Sequence, residues 1–95
     1  MTTPQQDEIL SLLGTMLIEV IAEEWAQDFT FTMETSFAED LELESIEFVA
    51  LAERVQTHFG DQVDFVDWLS SMEIDAIISL SLGQLVEFIE QCLNA

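Results

Sequence analysis

Apolar residues recur at three- and four-residue steps in three stretches of the chain, the pattern of a helix that buries one face. The first stretch holds Ile9, Leu10, Leu13, Met16, Leu17, Val20 and Ile21. Ahead of it, Thr3-Pro4-Gln5-Gln6 supplies a cap, a proline suited to the first helical position and a glutamine able to close a capping box. A helix is predicted over roughly 4–26, with Asp7, Glu8, Glu19, Glu23 and Glu24 mostly off its buried face. The second stretch runs from about Ser45 to Phe59 and stops at Gly60. Its expected core stripe is Ile46, Val49, Ala52, Val55 and Phe59, with Phe48 off the stripe and Glu47, Glu53 and Gln56 outside it. The third stretch is Leu82, Leu85, Val86, Ile89 and Leu93, entered through the capping box Ser81-Leu82-Gly83-Gln84. Cys92 sits near its stripe as a small buried hydrophobe.

The segments between these helices are less regular. From Asp28 to Leu43 no long period holds; Phe29, Phe31, Met33 and Phe37 sit among threonines and acids. Alternation at 29, 31 and 33 would suit a strand, but a lone strand has no partner, so a long loop pinned by aromatic residues is expected. After Gly60, residues Val63, Phe65, Val66, Trp68 and Leu69 form a dense apolar patch, with Trp68 expected as a core or loop anchor. Ser70-Ser71-Met72-Glu73 reads as a capping box that opens a short helix through Ile74, Ile77 and Ile78. No repeat, linker or low-complexity segment is visible. The expectation is one all-α domain over residues 1–95, a small four-helix bundle with a long first loop and an extended connection from the second helix to the third.

Composition adds one strong constraint. The 20 acids face a single cation, Arg54, for a formal net charge of −19. Such a field repels nucleic acid and anionic membrane surfaces and attracts basic proteins. At 49% hydrophobic residues, the chain is expected to fold rather than to behave as an acidic disordered tail. A single cysteine leaves no internal disulfide and no cysteine-rich zinc site. The start, MTTPQQDE, has no basic region and no small-residue cleavage site, and the apolar run from Ile9 to Ile21 is too short and too polar to span a bilayer. A cytoplasmic monomer is the expectation.

The charge concentrates ahead of the second helix. Glu39, Asp40, Glu42, Glu44 and Glu47 surround one hydroxyl, Ser45. Acids in a first turn favour a helix through its macrodipole, but five that repel one another exceed what capping needs. Ser45 is read either as a cap or as a modification site. It is not a hydrolase nucleophile, because the lone histidine, His58, lies thirteen positions further on the same predicted helix, roughly 20 Å away. There is no phosphate-binding glycine loop and no lysine, so self-contained catalysis is not expected. The alternating Asp40, Glu42 and Glu44 resemble calcium ligands, but the glycine and glutamate positions of that loop fall on Ser45 and Leu51, so no metal site is assigned beyond weak, non-specific divalent binding. A serine at a helix start can carry a phosphate diester placed there by another enzyme.

Asp40-Leu41-Glu42-Leu43-Glu44-Ser45-Ile46-Glu47-Phe48 is similar to the acyl carrier protein motif, Asp/Glu-Leu-Gly-x-Asp-Ser-Leu/Ile followed by an acid. Glu42 stands where the family has glycine, and Glu44 where it has aspartate. Ser81-Leu82-Gly83-Gln84-Leu85-Val86-Glu87-Phe88-Ile89 likewise resembles the start of the family's last helix. The segment from Gly60 to Ser81 is longer than in compact fatty-acid carriers, and Asp64-Phe65-Val66-Asp67-Trp68-Leu69 looks like an insertion. The resemblance implies a non-catalytic shuttle with 4′-phosphopantetheine on Ser45, loaded from coenzyme A by a phosphopantetheinyl transferase with Mg²⁺. It implies thioester cargo, and as partners an acyltransferase or acyl-activating ligase and a ketosynthase or other acyl-processing enzyme of polyketide, fatty-acid or related biosynthesis. The partner surface it implies is Glu44, Ile46, Glu47, Phe48 and Glu53, with Trp68 and Leu69 beside them. Two alternatives stay open: a peptidyl or aminoacyl carrier, although the Leu-Gly-Gly-x-Ser signature is missing, and an unmodified acidic adaptor or nucleic-acid mimic that binds a basic protein.

Overall fold

The protein is described by a computed structural model covering residues 3–94; the side chains of Ser45 and Asp61 lie outside the described set. Six α-helices and one 3₁₀ turn follow in order: α1 (Pro4–Ile21), α2 (Glu24–Asp28), α3 (Ser45–Phe59), the 3₁₀ turn Gly60–Gln62, α4 (Phe65–Ser70), α5 (Ile74–Ile78) and α6 (Leu82–Leu93). Among the described residues there is no strand, only one antiparallel bridge between Ser36 and Ser81. No helix among them is long and apolar enough to cross a membrane.

The three long helices form where the spacing places them. Thr3 caps α1 by accepting the Gln6 N–H at 3.1 Å, and the Gln6 side chain accepts the Thr3 N–H at 3.2 Å. Ser81 and Gln84 repeat this arrangement at the start of α6. Ile9, Leu13, Met16, Leu17 and Ile21 of α1 meet Leu82, Leu85, Val86 and Ile89 of α6 and Leu51, Ala52 and Val55 of α3 in one apolar cluster. Phe37 and Leu41 drop into the same cluster from the loop. Each fully buried Val, Leu, Ile or Phe side chain in this cluster stabilises the fold by about 1.5–3 kcal/mol.

Four expectations need correction. First, α1 ends at Ile21, not near 26. Ala22 turns the chain in the left-handed region, at φ 56°, and its N–H bonds Ile18 O at 3.0 Å. The chain then restarts as α2, which buries Ala26.

Second, the buried face of α3 is rotated. Ile46 and Val49 are 74% and 57% exposed, while Leu51, Ala52 and Val55 are buried and Phe48 and Phe59 pack at the margin. At about 100° per residue Ile46 lies across the helix from Val55, whereas 48, 51, 52, 55 and 59 share one face.

Third, the box at Ser70–Glu73 does not form. The Ser70 hydroxyl donates to Val66 O at 2.9 Å and that of Ser71 to Trp68 O at 2.7 Å, so both close α4 instead of opening α5.

Fourth, α4 is a separate helix, capped by Asp64, which accepts the Asp67 N–H at 3.0 Å. Among the described residues, six α-helices therefore stand where the sequence pattern predicts four.

Candidate functional site

The loop before α3 is built by short-range bonds that leave its acids outside. Ser36 N–H donates to Asp40 Oδ2 at 2.7 Å, and Glu39 N–H donates to Ser36 Oγ at 3.1 Å. Leu41 N–H bonds Ser36 O at 3.2 Å, and Leu43 N–H bonds Phe37 O at 3.0 Å. Leu41 and Phe37 are buried, so the loop is anchored from beneath. Between the two leucines Glu42 takes a left-handed backbone at φ 49°. Asp40 of the acidic motif thus closes a turn.

The helix start falls one residue earlier than a capping role for Ser45 requires. Glu44 is the capping position, with extended backbone at φ −81° and ψ 161°, and Ser45 is the first residue inside the helix. Glu44 N–H donates to Glu47 Oε1 at 3.0 Å, the return arm of a capping box. With Glu44 at that position, the cap reading of Ser45 loses its support. Among the described residues, no cation pairs with these two carboxylates. Arg54, the lone arginine, forms an ion pair with Glu19 of α1, so it crosses from α3 to α1 and leaves the acids of the loop unneutralised.

No family model, no curated protein and no solved structure matches this chain. The site therefore has to be judged on its own geometry. Among the described residues, no group of three His, Cys, Asp or Glu side chains converges as a metal-ion site. His58 is exposed, lies edge-on to Phe59 with centroids 4.8 Å apart, and sits at the far end of α3 from Ser45.

The expected partner residues divide. Glu44, Ile46 and Glu53 are exposed, and Glu47 is half-buried. Phe48 is half-buried, packs edge-on against Phe37 with centroids 5.2 Å apart and tilted against Phe65 with centroids 5.9 Å apart, and so holds the loop and α4 to α3. Trp68 stacks flat on Phe88 of α6, with centroids 4.3 Å apart and planes 5° from parallel, which makes it an anchor. Leu69 is half-buried and lines a groove with Phe48, Val49, Ala52, Glu53, Val66 and Ser70. Ile46 thus stands exposed in the first turn of α3, while Trp68 packs against α6.

Two features beside Ser45 were not anticipated. An apolar cleft of about 300 Å³ opens between the loop, α3 and α5, lined by Phe37, Ala38, Leu43, Glu44, Phe48, Val49, Ile77 and Ile78. Ile77 and Ile78 come from α5, which buries none of its residues fully. A second, shallow pocket brings Glu23, Glu42, Glu44 and Glu47 around Trp25, Ile21 and Leu41. The exposed indole of Trp25 comes from α2, a helix that the spacing did not separate from α1.

Proposed function

We propose that this chain is a discrete acyl carrier protein, with Ser45 as the attachment point for 4′-phosphopantetheine. The observation that carries the reading is the backbone at Glu42. It is left-handed at the one motif position where the family pattern has glycine, a conformation that glycine adopts without strain. Two further features support it. Ser45 opens α3 without being its cap, and the adjacent cleft presents apolar walls to a chain tethered there. In this reading α1, α3, α5 and α6 are the four helices of the carrier bundle, and α4 is the insertion.

In loading, the Ser45 hydroxyl forms a bond to the phosphorus next to the pantetheine arm of coenzyme A. The pyrophosphate bond breaks, the hydroxyl proton passes to the transferase, and the adenosine half leaves. In this reading every catalytic group comes from the transferase. The acids at Glu44 and Glu47 and the exposed Ile46 form the address that an acyltransferase, acyl-activating ligase, ketosynthase or related enzyme recognises.

The test is loading in vitro. Incubation with coenzyme A, Mg²⁺ and a broad-specificity transferase is expected to raise the intact mass by one phosphopantetheine. Ser45→Ala is expected to remove the rise. Absence of any mass change with several transferases overturns the carrier reading and leaves the acidic adaptor.

A further inference from the structure

Phe48 and Val49 each line two cavities at once. One is the apolar cleft of about 300 Å³ between the loop, α3 and α5, and the other is a groove of about 340 Å³ between α3 and α4. Val49 is 57% exposed, whereas Phe48 is half-buried, so the Phe48 ring is the inner wall that the two cavities share. A row of rings continues from this wall. Phe48 meets Phe37, itself part of the cleft lining, with centroids 5.2 Å apart, and Phe65 of α4 with centroids 5.9 Å apart. Phe65 meets Trp68 at 5.9 Å, and Trp68 stacks on Phe88 of α6 at 4.3 Å. We propose that Phe48 is a movable partition. When an apolar chain fills the cleft, the ring is displaced toward α4, the groove narrows and α4 turns, so that the overlap of Trp68 with Phe88 records whether the cleft is occupied.

The Phe48 ring has free space on both sides, which gives it two positions. Phe65 has none: it is 0% exposed, and a protein interior as dense as an organic crystal does not absorb a displaced ring by compression. Phe65 is also the one residue that α4 buries fully, so a push on it moves the six-residue helix as a unit. The longer α3, packed on α1, yields less. One wall cannot recede from both cavities. Filling either therefore disfavours filling the other, by the same factor in each direction. An outward turn of α4 reduces the overlap of the Trp68 and Phe88 rings, whose planes lie 5° from parallel, and uncovers the indole. The occupant is an uncharged apolar chain, because Glu44 is the only charged residue of the cleft lining and the net charge of −19 repels anions. Only the tether of that chain to Ser45 rests on the carrier reading. In that reading α4 is the insertion, and a bundle without it has no such relay.

The test uses the full chain carrying Trp25→Phe, which leaves Trp68 as the sole indole. With Ser45→Ala added, free 1-octanol supplies an untethered apolar chain. Its titration is expected to shift Trp68 emission to longer wavelength and to raise quenching by acrylamide, both saturably. With Ser45 kept, loading with octanoyl-phosphopantetheine, checked by intact mass, is expected to give the same change. Acetyl-phosphopantetheine, which leaves the cleft mostly empty, is expected to give none. Phe65→Leu, which breaks the row at its buried link, is expected to abolish the octanol response. Phe48→Leu takes its place if circular dichroism shows the first variant unfolded. No change at Trp68 with octanol overturns the proposal. So does an equal change with the acetyl group, or a response retained in the folded leucine variant. A chain that responds to octanol but takes no phosphopantetheine keeps the relay and loses the carrier reading. One that gains the mass while Trp68 ignores octanol does the reverse.

Discussion

Ala22 and Glu42 hold left-handed backbone at φ 56° and 49°, a conformation that disfavours an L side chain by about 1–2 kcal/mol. Glycine relieves that strain but adds freedom to the unfolded chain, so Ala22→Gly and Glu42→Gly are each expected to raise stability by up to about 1 kcal/mol. Urea unfolding measures the gain, and a loss at Glu42 would remove the observation on which the carrier reading stands. Neither position was legible: alanine and glutamate give no sign of positive φ, and only the family pattern marks 42 as a glycine site. Cys92 shows the opposite case. It was read as a small hydrophobe in the last helix; it is half-buried, and burial pushes its thiol above the ordinary value. The thiolate is then scarcer in the folded protein at any pH below that raised value. Alkylation of folded Cys92 is expected to rise at higher pH than that of the urea-unfolded chain; coincident profiles would show that burial does not shield it.

Helices with a wide apolar face announced themselves, and their bounds at Ser45–Phe59 and from Leu82 to Leu93 follow the sequence pattern closely. Which face of α3 goes inward was not legible, because apolar residues lie at 46, 48, 49, 51, 52 and 55 and two stripes compete. The choice is made by the elements that pack on it, α1 and α4, which the spacing within α3 does not encode. Short helices suffer the same limit: α2 and α5 have five residues each, too few to show a period. Between elements, Gly83 is the tightest of the three glycines. Its N–H donates to Met33 O at 2.8 Å, and a Cβ there would stand 2.5 Å from that same oxygen. Gly83→Ala therefore pushes α6 away from the loop and is expected to destabilise by about 1–3 kcal/mol in urea unfolding. Arg54→Ala, which breaks only the exposed pair with Glu19, is expected to lower stability by under about 1 kcal/mol in the same assay.

At the scale of the molecule, a net charge of −19 is held in a body with a radius of gyration of 12.4 Å. That radius is close to the Debye length of about 10 Å at 0.1 M salt. Low salt leaves the acids in each other's field, and unfolding separates them. The melting temperature is expected to rise with added salt or Mg²⁺, followed by circular dichroism; no change would mean that self-repulsion is already small in the folded state. The sign and size of the charge were legible from composition. Its placement was not, since nothing in the composition says that the lone cation joins α3 to α1 rather than the acidic loop.

Besides apolar packing, main-chain bonds tie the long loop to the start of α6: Phe37 N–H to Leu80 O, Leu82 N–H to Thr35 O and Gly83 N–H to Met33 O. Leu82 and Gly83 would otherwise carry unpaired amides of a helix N-terminus. Each segment thus supplies what the other lacks, and the two are expected to open together. The last twelve residues of helix, far from Ser45 in sequence, then act as the latch on the loop that presents it. A protease cut or truncation within α6 would set that loop free while leaving every residue of the acidic motif in place.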